Sequence, residues 1–579
     1  MVIAGHGRAA MPPSIAFLTS RWPAKDTAFG RDRLHVALVA TFHLAALVLM
    51  QWSEEGIVAK SVFLFTWGLL NFFWLALLRR PAVSAALSLA VIVVVILLSR
   101  LKYDIVWMTA NFLDVWIVNR DSVGFLLEVK PDLYRSVLIA LALSLPVFWV
   151  LWWIDRVRVR LRTAALGFVV CLAGLTGISL ACPAEEWLGF FGNNYVSTFS
   201  RTGIEAISEL MRNGYMESDA VVTDRLTTLQ DATCTPSAKP PHIIMVHDES
   251  SFDLRLIPGV KVPADYGPHF KSFDGRERRF IAEGAGGPSW YAEYNVLAGL
   301  SSRSFGRFAY YVTHIAAGRV ERGLPTALRR CGYQTISIYP ASGAFMSAKA
   351  FQTTTGVQKF LDQTALGTNR IEPDKFYYDS ARRMIERERS KGPMFVFVYL
   401  AQNHFPWDYR WRPDLMPQWK DPGNPSVVDE YLRRQAMSSR DYAELVDTLK
   451  RDFPDESFLL VRYGDHQPDF ASTLIEPAID DATRAKRLMT HDPRYFTTYY
   501  AIDAINFRPV DMTSALGTIE GSYLPLIVQE AAGLPLDSSF VEQRKILERC
   551  KGLFYACAGG TEARRFNRLL IDAGLIKGL

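Results

Sequence analysis

Five apolar stretches crowd the first third of this chain, at residues 34–52, 57–78, 82–99, 133–154 and 163–181. Each is close to the roughly 20 residues that a helix needs to cross a hydrocarbon core. Residues 82–99 carry no charge at all. The other reading is buried core helices of a large soluble protein, but five runs of spanning length within about 150 residues, divided by short charged loops, count against it. The stretch is therefore read as five membrane spans. A chain of 579 residues is also too long for one ordinary domain. The expected organisation is a transmembrane domain over 1–182, an amphipathic linker over 183–240 and a separate domain over 241–579.

Positive charge sets the expected orientation. Arg8, Arg21, Lys25, Arg31 and Arg33 precede the first run; Arg79 and Arg80 separate the second from the third; Arg156, Arg158, Arg160 and Arg162 separate the fourth from the fifth. The loop after the first run holds Glu54, Glu55 and only Lys60. Lys and Arg beside span ends favour the cytoplasmic side. Five spans with an inner N-terminus would place everything beyond residue 182 outside. The first run lacks the features of a cleavable signal, so it is expected to remain as a span. The net charge of +5 lies largely in those loops, which points to anionic lipid headgroups and away from nucleic acid. Residues 100–132 mix Lys102, Asp104, Asp114, Arg120 and Asp121 with Trp107, Phe112 and Trp116. They read either as an interfacial helix or as a loop packed on the outer domain. Cys550 and Cys557 are seven apart, and a disulfide between them suits an oxidising compartment. Cys171 and Cys182 lie in or near the last span.

The second half alternates short apolar runs with helical patterns. Residues 243–246, 335–339, 394–400 and 458–461 read as strands, and 324–330, 380–389 and 428–451 as helices, with Pro325 in a first turn. The linker reads as two helical pieces, 202–211 and 220–229, before a Pro-bearing break at Pro236, Pro240 and Pro241. Alternation of this kind predicts a mostly parallel sheet covered by helices, with ligands beyond the C-terminal strand ends. Glu249, His404 and the Asp465-His466 pair all fall just after apolar runs.

Their chemistry is specific. Glu249 and Asp465 offer hard oxygens and His466 an imidazole, a set that suits one divalent cation. Ser289 follows Gly284-Ala285-Gly286-Gly287-Pro288 at the expected start of a helix, where free N–H groups stabilise anions. It reads as a metal-activated nucleophile, as an N-cap with Glu293 in the first turn, or as both. Ser250 and Ser251 directly follow Glu249 and read as turn residues. His404, in Gln402-Asn403-His404-Phe405-Pro406, is either a contact to a phosphoryl oxygen and leaving group or a structural histidine of an aromatic turn.

Taken in order, Glu249, the Gly-rich approach to Ser289, Asn403-His404-Phe405-Pro406 and Tyr463-Gly464-Asp465-His466 resemble the alkaline-phosphatase/sulfatase superfamily. The closer likeness is to its membrane branch of lipoteichoic acid synthases and phosphoglycerol transferases of periplasmic glucans, with phosphoethanolamine transferases more distant. The resemblance implies five spans and an extracytoplasmic α/β domain anchored in a bacterial inner membrane. It implies Glu249, Ser289, Asp465 and His466 at one Mn²⁺ or Zn²⁺, Ser289 as nucleophile with Glu293 four residues on, and His404 on the substrate phosphate. The implied reaction moves a phospholipid headgroup, phosphoglycerol first and phosphoethanolamine as the alternative, onto an envelope glycan or glycolipid. An extracytoplasmic phosphodiesterase is a further reading, and an inactive envelope-assembly binding protein another. The chain departs from the branch in carrying serine where threonine is usual, and in the polar pair His247-Asp248 before the metal glutamate. The pattern counts strongly against a sulfatase and not against a phosphodiesterase: Ser289-Trp290-Tyr291-Ala292-Glu293 lacks the Pro and Arg of the Cys/Ser-x-Pro-x-Arg signature.

Overall fold

The computed structural model describes residues 24–106, 108–116, 118, 120–183, 193–219, 222–226, 234 and 239–579. The chain divides into two compact units. One comprises 1–111, 135–184 and 188–201; the other comprises 112–134, 185–187 and 202–579.

The first unit contains α1 (Ala24–Ser53), α2 (Gly56–Leu78), α3 (Pro81–Val106), α6 (Leu133–Ile154) and α7 (Leu161–Ala181). Their stretches Arg33–Ser53, Gly56–Leu78, Pro81–Asp104, Leu133–Ile154 and Leu161–Ala181 are long and apolar enough to cross a membrane, which matches the five apolar runs. Small residues bring α2 and α7 together. A Cβ at Gly167 or Gly174 would lie 2.4 Å or 2.3 Å from the rings of Phe72 and Phe65. That close approach is how apolar helices gain packing where no hydrophobic effect separates them from lipid.

The second unit takes in α4 (Phe112–Trp116) and α5 (Arg120–Val129), so the segment between the third and fourth apolar helices groups with the large unit. Helix α8 (Tyr195–Asn213) covers the first expected linker helix and starts earlier. The second expected linker helix is not formed at 222–226, and its remaining residues, 220–221 and 227–229, fall outside the described ones. The core of the unit is an eight-stranded sheet in the order β4-β3-β5-β1-β6-β7-β2-β8. Its strands are β1 (His242–Asp248), β2 (Arg278–Ile281), β3 (Gln334–Ile338), β4 (Lys359–Leu361), β5 (Met394–Tyr399), β6 (Phe458–Gly464), β7 (Thr497–Ile505) and β8 (Thr518–Glu520). All pairings are parallel except those of β7 with β6 and β2. The four expected strands are β1, β3, β5 and β6, adjacent and parallel. Helices Asp374–Glu388 and Ser426–Asp452 pack together on one face. The other face is covered in part by α9 (Ser289–Ala298).

Adjacency of β5, β1 and β6 is what assembles the site. Because the three run the same way, the turns after Tyr399, Asp248 and Gly464 emerge side by side at one edge. Register pairs Asp248 with Gly464, so Glu249 and Asp465 leave the sheet at the same level.

Candidate metal and nucleophile site

Alternation along β1 sorts its polar residues. His247 faces Asp465 and Tyr463, whereas Asp248 faces the opposite side, accepting from His269 Nε2 at 3.0 Å and from the Tyr499 hydroxyl. Glu249 then enters a turn in which Ser250 takes a left-handed conformation (φ 51°). That turn points the Ser250 N–H at Asp465 Oδ1 (2.7 Å) and its Oγ–H at Glu249 Oε1 (2.8 Å). Ser250 therefore serves as a turn residue. Gly464 makes the crossing possible: a Cβ there would sit 1.9 Å from the Ser251 carbonyl oxygen, so a larger residue would push the two turns apart.

Helix α9 begins at Ser289 itself, with Pro288 in the cap position and no side-chain cap. The N-cap reading of Ser289 is thereby corrected: its hydroxyl is turned across to the turn after β1. Ser289 Oγ lies 3.2 Å from Glu249 Oε2 and 3.2 Å from His466 Nε2. His466 Nε2 is also 3.5 Å from Glu249 Oε1 and 3.5 Å from Asp465 Oδ2. Glu249, Asp465, His466 and Ser289 are all buried. Two carboxylates, an imidazole and a hydroxyl thus converge.

The spacing fits a cation. Tetrahedral ligands at about 2.0–2.1 Å from an ion stand about 3.3–3.4 Å from one another, and the separations of His466 from Glu249, Asp465 and Ser289, and of Ser289 from Glu249, bracket that value at 3.2–3.5 Å. Oxygen and imidazole donors without thiolate suit Zn²⁺ or Mn²⁺. The local field favours positive charge as well. Burial alone would lower the His466 imidazole, but Asp465 and Glu249 push it up to about 9. Burial would raise the Asp465 carboxyl, yet His466 and His247 hold it well below the usual carboxylate range.

One residue of the cluster was not assigned from sequence. His247 Nε2 donates to Asp465 Oδ2 at 3.1 Å, and the Tyr463 hydroxyl lies 2.7 Å from Nδ1. The ring stacks on Tyr399 with centroids 3.8 Å apart. His247, Glu249 and Asp465 have donor atoms within 4.8 Å of one another. The available signal was a histidine in an otherwise apolar strand, two residues before the metal-type glutamate. Glu293, one turn into α9, accepts from Gln352 Nε2 at 2.9 Å, and burial raises it to about 7.

His404 stands just beyond β5, half-buried and stacked on Phe405, with Nδ1 2.8 Å from its neighbour's carbonyl oxygen. Its loop is firmly held. Arg434 donates to the carbonyls of His404 and Pro406, both at 2.8 Å, while Glu430 pairs with Arg433 and Arg434 from within the helix Ser426–Asp452. Gln402 is fixed between Asp374 and Ser438. The hydrogen bonds of His404 do not join it to the Ser289 cluster.

Two disulfides occur, the expected Cys550–Cys557 and also Cys234–Cys331; Cys171 and Cys182 are free.

Residues 291–494 match the Sulfatase family, a segment that contains His404, Asp465 and His466 and starts just past Ser289. An uncharacterised protein of Haemophilus influenzae is 23% identical over 202 residues, 32% of this chain; the match spans 36% of that relative's own length. Among solved structures, the Streptococcus pyogenes phosphoglycerol transferase GacH, in complex with sn-glycerol-1-phosphate, is 16% identical. It covers 60% of this chain and 89% of its own, with a TM-score of 0.46. The Neisseria meningitidis lipooligosaccharide phosphoethanolamine transferase EptA is 12% identical, covering 82% of this chain and 95% of its own, with a TM-score of 0.39. Over 291–494, beyond five helices long and apolar enough to cross a membrane, the chain is thus similar to the Sulfatase family.

Proposed function

We propose that this protein is a metal-dependent transferase that moves a phospholipid headgroup onto an envelope glycan or glycolipid. The observation that carries the reading is the convergence of Ser289 Oγ, Glu249, Asp465 and His466 at metal-ligand spacing on the edge of the sheet. Glu249, Asp465, His466 and Ser289 would hold one Mn²⁺ or Zn²⁺. When bound, the ion supplies positive charge that acidifies the Ser289 hydroxyl and neutralises charge developing on phosphoryl oxygens.

Ser289 Oγ attacks the phosphorus of the donor diester. The Oγ–P bond forms, the bond to the glycerol oxygen of diacylglycerol breaks, and a headgroup-phosphoryl serine remains. Glu249 Oε2, 3.2 Å away, is within reach of the hydroxyl proton. The positive end of the α9 helix dipole, at Ser289, favours the anionic phosphoryl group. His404, on its braced loop, is assigned to contact the phosphoryl group and protonate the departing oxygen. An acceptor hydroxyl then attacks the same phosphorus: its O–P bond forms, the Ser289 Oγ–P bond breaks, and the acceptor's proton returns to Ser289 Oγ.

Phosphatidylglycerol is the preferred donor, on the likeness of the Asn403-His404-Phe405-Pro406 and Tyr463-Gly464-Asp465-His466 elements to the phosphoglycerol branch; phosphatidylethanolamine is the alternative. Both disulfides fall in the second unit, which supports an oxidising, extracytoplasmic location for it. The Arg-bearing stretches at 79–80 and 156–162 support the same orientation at a bacterial inner membrane. The test is turnover of headgroup-labelled phospholipids by purified protein with and without Mn²⁺ or Zn²⁺. Metal-dependent release of diacylglycerol from phosphatidylglycerol, with the labelled headgroup phosphate recovered on an added glycan acceptor, supports the reading. Recovery of the label only as free glycerol phosphate would make it a phosphodiesterase. A metal-bound protein that leaves both lipids intact refutes it.

A further inference from the structure

The segment between α3 and α6 turns two unlike faces to its surroundings. One face is built into the second unit. The Phe112 N–H donates to Thr202 Oγ1 at 3.1 Å, and the Tyr311 hydroxyl donates to Asp114 Oδ1 at 2.7 Å. Leu113, only 4% exposed, joins the core that holds Phe305, Phe308 and Tyr311. Helix α5 lies against Phe345–Ser347.

The other face is aliphatic and open. Val115, Val118, Val123 and Leu127 are 56%, 57%, 48% and 40% exposed. Val123 and Leu127 stand four residues apart, on one side of α5. Arg120 and Lys130 are exposed at the two ends of that helix, and Tyr134, 62% exposed, opens α6.

Chain connectivity says what covers this face. The segment is entered directly from the apolar helix Pro81–Asp104 and left directly into Leu133–Ile154. Consecutive spans must be joined on one side of a bilayer, so both ends of the segment are pinned at the same membrane–water boundary. Aliphatic side chains flanked by cations and an aromatic residue are the composition that boundary selects.

We propose that Val115, Val118, Val123 and Leu127 dock the second unit onto the surface of the phospholipid bilayer, with Arg120 and Lys130 against anionic headgroups. The contact is two steps from the nucleophile. Phe345, which α5 covers, stacks edge-on to Trp290 with centroids 5.8 Å apart, and Trp290 follows Ser289. On the function proposed above, the docked segment holds the unit that carries Ser289 at the layer that contains the donor.

The experiment uses the full chain in nanodiscs of phosphatidylcholine and phosphatidylglycerol. Free thiols are removed by Cys171→Ala and Cys182→Ala, and an environment-sensitive fluorophore is attached at Val123→Cys or Leu127→Cys. Val118→Cys serves where a label on α5 disturbs the helix. Lipids brominated near their ester groups are the quencher. Labels at 118, 123 and 127 should emit to the blue and lose most of their intensity, as a lipid-facing control at Val137, one turn into α6 and 48% exposed, does. A label at Val510, 68% exposed on the second unit, should keep its intensity. Emission at 123 and 127 as unquenched as at 510 would overturn the proposal and mean that water or another protein surface covers the face. Quenching needs no turnover, so this result and the fate of the transferase reading are independent.

Discussion

Helix α9 has a buried carboxylate near each end, and the two are solved in opposite ways. Beside its C-terminal end, Glu283 accepts from Asn295 Nδ2 at 2.7 Å, from Ser302 N and Oγ at 2.6 Å each, and from Ser301 Oγ. Four neutral donors satisfy one carboxylate, and nothing further is required of it. At the N-terminal end, Glu249 and Asp465 share a single imidazole, His466, and the Ser289 hydroxyl, with Ser250, His247 and two backbone N–H groups behind them. Two carboxylates are held close there, with an imidazole and a hydroxyl beside them. A lone buried carboxylate among neutral donors is structural, whereas paired carboxylates with an imidazole and a hydroxyl make a donor set for a cation.

Substitutions at five positions break or sharpen that contrast, in falling order of effect. Ser289→Ala should lower lipid turnover on the order of 10³-fold or more while the protein stays folded and keeps its metal, because a covalent step disappears. Near-normal rates would remove Ser289 from the mechanism. Glu249→Ala or Asp465→Asn should lose both turnover and bound metal, checked by elemental analysis of the purified protein; an unchanged metal content would end their assignment as ligands. His247→Ala should weaken metal affinity by about 10–100-fold, as loss of a hydrogen bond behind a ligand does, with partial recovery in His247→Asn. Metal affinity equal to that of the unsubstituted protein would make His247 a packing residue. Glu283→Ala should leave metal content untouched and cost about 1–3 kcal/mol of stability through stranded donors, read by denaturant unfolding of the second unit. A folded Glu283→Ala protein without metal would erase the difference between the two ends of α9.

Much of this was legible in the sequence where local pattern and tertiary position coincide. The apolar runs at 57–78 and 133–154 match α2 and α6 because lipid asks only for length and hydrophobicity. Glu249 and Asp465 could be paired in advance because each follows a short apolar run, and parallel neighbouring strands deliver such residues to one edge. Other features depend on distant partners. Strand β2 contains Arg278, which is buried only because Asp274 and the Ala515 carbonyl receive it, so its charge hid the strand. Strand β7 adds antiparallel to the sheet, beyond the alternation of strand and helix that guided the reading. Cys234 pairs with Cys331 across 97 residues, a partnership no spacing reveals. Ser289 was placed at the start of a helix, but the direction of its hydroxyl is set by the turn after β1, which a linear pattern does not contain.

The most direct test of the central claim is mass spectrometry of the peptide carrying Ser289, after the purified protein is incubated with Mn²⁺ or Zn²⁺ and mixed phospholipids. The account predicts a phosphoglycerol adduct on Ser289, with phosphoethanolamine there if the donor is phosphatidylethanolamine, and no adduct in Ser289→Ala. An unmodified Ser289 in a metal-bound protein that is consuming phospholipid would contradict it.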